Sequence, residues 1–249
     1  MASIPLQTNR RLRTPTKRKD STMELELIVR ELKRMRNPEA VEGMARFGIR
    51  GGNVYGVSVP NLRRLARKAG KNHRLAIDLW KTGIHEARIL AGMVDDPRKV
   101  TVEQMESWVR DFDSWDVVDG SCGNLFDKTP FAFEKAMEWS KREAEYEKRA
   151  GFVLMAELAV HDKALPDETF LAFLPVIARE AVDNRNFVKK AVNWALRQIG
   201  KRNLPLNRAA IVTSEKIRNL ESSAARWIAS NALKELKSEP VRKKLRTGK

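Results

Sequence analysis

The chain has 249 residues, 42% hydrophobic and 32% charged, which suits a globular protein of one or two domains with a sizeable core. Its formal net charge of +16 points to a polyanionic partner, nucleic acid before a membrane surface. Cys122 is the only cysteine, which excludes an intramolecular disulfide and a cysteine-based zinc site and suits a reducing compartment. No apolar run approaches the roughly 20 residues of a bilayer span, and the N-terminus lacks the apolar core of a secretory signal. The expectation is a cytoplasmic protein in a bacterium, or a nuclear or organellar one in a eukaryote, acting as a monomer and away from membranes.

Residues 1–20 read as a disordered basic tail, with Arg10, Arg11, Arg13, Lys17, Arg18 and Lys19 against Asp20. It suits a basic arm on nucleic acid, an address, or a solvated extension. A single domain is expected over 21–238, with a second basic end at 239–249. Ser21 to Glu24 is a capping box that opens a helix to about Arg36. Asn37-Pro38 supplies a cap and a first-turn proline for a helix through Phe47. Glycines 48, 51, 52 and 56 mark a long turn, and no Gly-Lys-Ser/Thr makes it a phosphate loop. Pro60 starts a helix whose apolar stripe is Leu62, Leu65, Ala66 and Ala69, with Arg63, Arg64, Arg67 and Lys68 on the other faces. Helices follow at 73–82, 84–95, from Thr101 to about Phe112, from Trp115 to Phe126, and from Pro130 to about Arg142. Five more are expected at about 144–160, 166–181, 184–200, 205–219 and 222–236. No stretch alternates with period two, so the fold class is all-α, without a sheet. Short links between short helices suggest an α-solenoid of antiparallel HEAT-like pairs with a concave basic face, or a compact bundle.

Four aspartates lie within Asp111–Asp119 of this basic chain. They are open to three readings: a solvated surface, a metal site, or a carboxylate aimed at a cation. Their spacing does not match a calcium loop, and His73, His85 and His161 sit in no ligand pattern along the chain. Trp115 and Asp119 are four apart and share a helix face. Asp119 sits where that face leaves the apolar centre of Val118, Cys122 and Leu125. In the 184–200 helix, Trp194 lies opposite the apolar stripe among Lys190, Arg197 and Lys201. It is either a stacking surface for nucleic acid or a packing contact to a second helix. Trp227 repeats the arrangement more weakly and is expected to pack.

Several segments together resemble the AlkD family of DNA alkylation-repair glycosylases. They are Met44-Ala45-Arg46-Phe47, Tyr55-Gly56-Val57, Pro60-Asn61-Leu62-Arg63-Arg64-Leu65, Trp115-Asp116-Val117-Val118-Asp119, Lys148-Arg149-Ala150 and Phe187 to Arg197. The resemblance spans about residues 22–235. It implies a HEAT-like repeat that binds duplex DNA and excises cationic N3- or N7-alkylpurines without metal or cofactor. Carried over by motif, Asp119, Trp115 and Trp194 would face the lesion and Arg149 would contact the DNA backbone. Arg63, Arg64, Lys190, Arg197 and Lys201 are the further expected DNA contacts. Phe47 stands where many members carry tyrosine, so any role of that hydroxyl is lost. The alternative is a non-catalytic HEAT-repeat module that binds nucleic-acid structure or a protein partner.

Overall fold

Short polar side chains fix where the helices begin. The computed structural model describes residues 16–49, 51 and 53–247, and holds fourteen α-helices and no strand among them. The first seven are α1 (Thr16–Arg34), α2 (Pro38–Arg46), α3 (Val59–Ala69), α4 (His73–Lys81), α5 (His85–Val94), α6 (Val102–Arg110) and α7 (Trp115–Asn124). The rest are α8 (Ala132–Trp139), α9 (Glu145–His161), α10 (Asp167–Glu180), α11 (Asn186–Gly200), α12 (Leu204–Arg218), α13 (Ser223–Leu236) and α14 (Glu239–Thr247). Asn37, Asn72, Thr101, Asn203 and Ser222 each accept a hydrogen bond from a first-turn backbone N–H, at 2.9–3.3 Å. Such a cap satisfies an N–H that the helix itself leaves without a partner.

The basic tail assigned to 1–20 lies outside the described residues up to position 15. From Thr16 onward the chain is already helical, upstream of the Ser21 capping pattern. Neither Gly nor Pro interrupts 16–36, so nothing in the sequence breaks a helix there.

The helices form two layers. In one, α3, α5, α7, α9, α11 and α13 each pack on the next. In the other, α4 packs on α5, α6 and α8 on α9, α10 chiefly on α12, and α12 on both α11 and α13. Each unit thus buries one apolar face against its own pair and another against its neighbour, the logic of a stacked repeat. α9 is buried on nearly every side, so it forms the middle of the stack.

Along the second layer an aromatic series runs from α4 to α8. The Trp80 and Trp108 rings stack at 4.0 Å between centroids, Trp108 lies 5.9 Å from Phe126, and Phe126 lies 6.0 Å from Trp139. The indole N–H groups end on carboxylates: Trp80 donates to Asp111 and Trp139 to Glu106, both at 2.9 Å. Buried tryptophans need such partners. Glu106 also receives Lys135 at 2.9 Å and Arg142 at 2.6 Å. Burial pushes its carboxyl up, but Arg142, Trp139 and Lys135 outweigh that and hold it at about 2.

A depressed folded-state pKa stabilises above the unfolded value and is lost as pH falls through the folded one. Glu106→Gln should therefore cost roughly 2 kcal/mol at neutral pH. The difference from the parent chain should vanish as pH falls from the ordinary glutamate range toward 2. Denaturant unfolding at several pH values checks this, and a cost that persists in acid would contradict it.

A second buried carboxylate shapes the loop before α3. Glu86 accepts the backbone N–H groups of Tyr55, Gly56 and Val57 at 2.6–3.2 Å. Gly56 has φ of 74°, and a Cβ there would meet the Asn37 carbonyl at 2.3 Å. Only glycine fits both demands.

Candidate functional site

The acidic segment resolves into four separate pairings. Asp111 accepts the Trp80 indole, and Asp113 pairs with Arg88 at 3.1 Å. Asp116 meets His85 Nε2 at 2.8 Å. Asp119 is held by Arg149 through two hydrogen bonds, Nε to Oδ1 at 3.0 Å and Nη2 to Oδ2 at 2.8 Å. Asp111 and Asp113 thus brace the junction between α6 and α7, whereas Asp116 and Asp119 point from α7 toward α5 and α9.

Trp115 and Asp119 occupy one face of α7, a turn apart, and line two adjoining clefts. One, of about 500 Å³, runs past Phe47, Gly48, Arg149, Asn186, Phe187 and Lys190. The other, of about 550 Å³, runs past Met44, Leu62, Arg63, Ile89, Gly120 and Asn124. The rim of the first is set by a close approach between the segment after α2 and the start of α11. A Cβ on Gly48, whose φ is 85°, would lie 2.7 Å from the Phe187 ring. The Trp115 indole is fixed by its N–H, which donates to the Phe47 carbonyl at 3.0 Å. Phe47 itself is 70% exposed at the cleft mouth, an unusual cost for a phenylalanine.

Asp119 is poised between opposing influences. Burial raises its carboxyl above the ordinary aspartate range, Arg149 works against that, and Asp116 adds to it. For His85, burial works against the cation, but the Asp116 hydrogen bond together with the charges of Asp116, Glu86 and Asp113 outweighs it and raises the imidazole pKa.

The structure corrects several sequence expectations. Arg149, expected to contact the DNA backbone, is not a surface arginine: it is 5% exposed, and its third donor, Nη1, goes to the Phe187 carbonyl at 2.7 Å. Its guanidinium is buried because α9 sits in the middle of the stack. Trp194 lines neither cleft. It is partly buried against the core one turn beyond Lys190, so Lys190 and Phe187 are the α11 side chains at the first cleft. Arg197 and Lys201 are not free cations, since both pair with Glu235 of α13, Lys201 at 2.6 Å. Lys190, Arg63 and Arg64 are exposed as expected, and Arg63 lines the second cleft while Arg64 reaches Met35 Sδ at 3.5 Å. Trp227 is exposed rather than packed, with Lys189 Nζ 5.1 Å from its ring centre.

Sequence reasoning missed Arg46, Phe187 and His85 as neighbours of the site. Arg46 adjoins Phe47 in the chain, which is the one local signal available; the other two come close only through packing. One further cluster joins groups from distant positions: Asp127, Glu157 and His161 hold their ligand-type atoms within 4.8 Å of one another. No helix among the described residues is long and apolar enough to cross a membrane.

These features have counterparts among known proteins. The sequence profile described as DNA alkylation repair enzyme matches residues 28–236. Uncharacterized proteins of Listeria innocua and Listeria monocytogenes are each 27% identical, over 141 and 146 residues. Those alignments cover 55% and 57% of this chain and 62% and 64% of the relatives, so the chain spans less than two thirds of their length. A solved structure at 20% identity superposes with a TM-score of 0.72, covering 90% of this chain and 94% of that one. It is described as belonging to a new family related to the HEAT-like repeat DNA glycosylases with affinity for branched DNA structures. The all-α HEAT-like architecture is therefore shared with that structure, and the match over residues 28–236 places this chain in the DNA alkylation repair enzyme family.

Proposed function

We propose that this protein is a monofunctional DNA glycosylase that excises cationic N3- and N7-alkylpurines, such as 3-methyladenine and 7-methylguanine, from duplex DNA. The observation that carries this reading is the Asp119 carboxylate at the meeting point of two clefts, beside Trp115 and fixed by a buried arginine. An alkylated purine of this kind already bears a positive charge, so its departure needs no general acid. The C1′–N9 bond breaks (N9 being the purine nitrogen on the sugar), and its electron pair leaves with the base, which becomes neutral. Positive charge then develops on the sugar, where an anion lowers its energy. Asp119 supplies that anion, and water adds to C1′ and gives up its proton to the carboxylate or to solvent.

Arg149 acts through Asp119. By pairing two of its donors with the carboxylate, it opposes the desolvation that would otherwise protonate the acid. The Trp115 face offers a surface for the sugar or for a cationic base. Exposed Lys190, Arg46 and Arg63 surround the clefts with positive charge suited to phosphates. Release of an intact damaged base belongs to base excision repair, and the net charge of +16 suits duplex DNA as the substrate.

Incubation with methylated duplex DNA tests this reading, with released 7-methylguanine and 3-methyladenine measured against the spontaneous background. Release above background is expected. Absence of release with retained duplex or junction affinity would favour the second reading, a non-catalytic module for nucleic-acid structure. That reading draws on the branched-DNA affinity attributed to the superposing structure.

A further inference from the structure

We propose that Asp127, Glu157 and His161 form a binding site for one divalent cation of the zinc type, apart from the Asp119 clefts. Asp127 lies in the short 3-10 turn Phe126–Lys128 that follows α7, and Glu157 and His161 lie one turn apart near the end of α9. His161 Nδ1 lies 2.6 Å from Asp127 Oδ2 and 3.5 Å from a Glu157 oxygen. Tetrahedral zinc holds its nitrogen and oxygen donors about 3.3 Å apart, so these atoms need to move little. The metal would replace the direct contact between His161 Nδ1 and Asp127 Oδ2.

The carboxylates are arranged for this. The Asp127 side chain is fully buried, and Lys128 Nζ takes its Oδ1 at 2.8 Å, which leaves Oδ2 on the His161 side. The same lysine donates to the Gly123 carbonyl at 2.6 Å, so its charge is held on the far side of Asp127. Glu157 is nearly buried, yet among the described residues its only charged partner within 4 Å is His161. Its Oε1 lies 2.5 Å from where a Cβ on Gly123 would sit, so glycine leaves the space this carboxylate fills. A buried carboxylate short of cationic partners gains most from a metal ion. His161 is 47% exposed, which gives an entry path and leaves a further position to water.

One imidazole with two carboxylates suits zinc better than calcium or magnesium, which prefer six or more oxygen donors or retained water. A bound ion would clip the end of α9 to the turn after α7, and those two helices carry Arg149 and Asp119.

The test uses the full chain, stripped with a chelator and titrated with Zn²⁺ alone against a chromophoric competitor, with Co²⁺ as the spectroscopic probe. One equivalent should bind, and Co²⁺ should show visible absorption of nitrogen and oxygen ligation. Glu157→Gln and His161→Gln should each weaken binding by tenfold or more, on the order expected for metal-site changes. Unloaded Glu157→Gln should melt no lower than the parent chain, since it removes a poorly compensated buried charge. Absence of saturable one-to-one binding, or binding that survives either substitution, would overturn the proposal. Neither readout depends on excision.

Discussion

Asp119→Asn should lower single-turnover excision of 7-methylguanine and 3-methyladenine by ~10²–10³-fold, the range for removing one transition-state electrostatic partner. Duplex affinity should stay within about twofold, because in the proposed mechanism the charge lost acts on the sugar rather than on the phosphates. Asparagine keeps the size of the side chain and one acceptor for Arg149, so the clefts keep their shape. The parent protein should also lose excision in acid. Burial raises the Asp119 carboxyl, so the protonated, inactive form sets in above the ordinary aspartate range, and activity rises with pH through that limb. Wild-type rates for Asp119→Asn would remove this carboxylate from the chemistry.

Arg149→Ala should have the largest effect on stability of any change near the clefts. The guanidinium is 5% exposed, makes two hydrogen bonds to Asp119, and reaches the Phe187 carbonyl on α11. Its loss leaves a mostly buried carboxylate without a counter-charge and unties α9 from both α7 and α11. The cost should be about 3 kcal/mol. That corresponds to a fall in melting temperature of roughly 6–12 °C for a chain of this length.

The same variant separates two roles for the arginine. A phosphate contact would flatten the salt dependence of binding by about one unit of slope. A positioning role leaves that slope unchanged and lowers excision through Asp119. Arg149→Lys should rescue only part of either loss, because an ammonium cannot reproduce the fork. The double variant Asp119→Asn/Arg149→Ala should be far less destabilised than the sum of the single effects, with a coupling of about 1–3 kcal/mol. Additive effects would mean that the pair is not the unit proposed.

The distribution of what could be read from the sequence follows from distance along the chain. Helix starts at Asn37-Pro38 and Thr101 were legible because a cap and the N–H that donates to it lie three residues apart. Trp115 and Asp119 were legible as a unit because a helix turn puts them on one face. The all-α class was legible from the absence of period-two alternation. In contrast, the Arg149–Asp119 pair spans 30 residues and the ties from Glu235 to Arg197 and Lys201 span 38 and 34. Arg149 could therefore be read only as a surface cation, and Arg197 and Lys201 only as free ones. The same limit hid the partners of the four aspartates, all of which lie in α4, α5 and α9.

Tryptophans mark the limit from the other direction. A helical wheel places Trp194 and Trp227 opposite the apolar stripe, but it does not tell which has a second helix over it. The stack covers Trp194 and leaves Trp227 beside Lys189 in the open. Histidine chemistry was nearly as silent, because His85 and His161 find their nearest carboxylates 31 and 34 residues away.

In the proposed mechanism a fixed carboxylate, without an acid to protonate the base, suffices for a leaving group that is already cationic. Single-turnover release from three matched duplexes tests this most directly: one carries a single 7-methylguanine, one guanine, and one a neutral purine lesion such as hypoxanthine. Enzyme-dependent release from the first alone, abolished by Asp119→Asn, is the predicted result. Equal release of the neutral base, or no release of 7-methylguanine above its spontaneous rate, would contradict it.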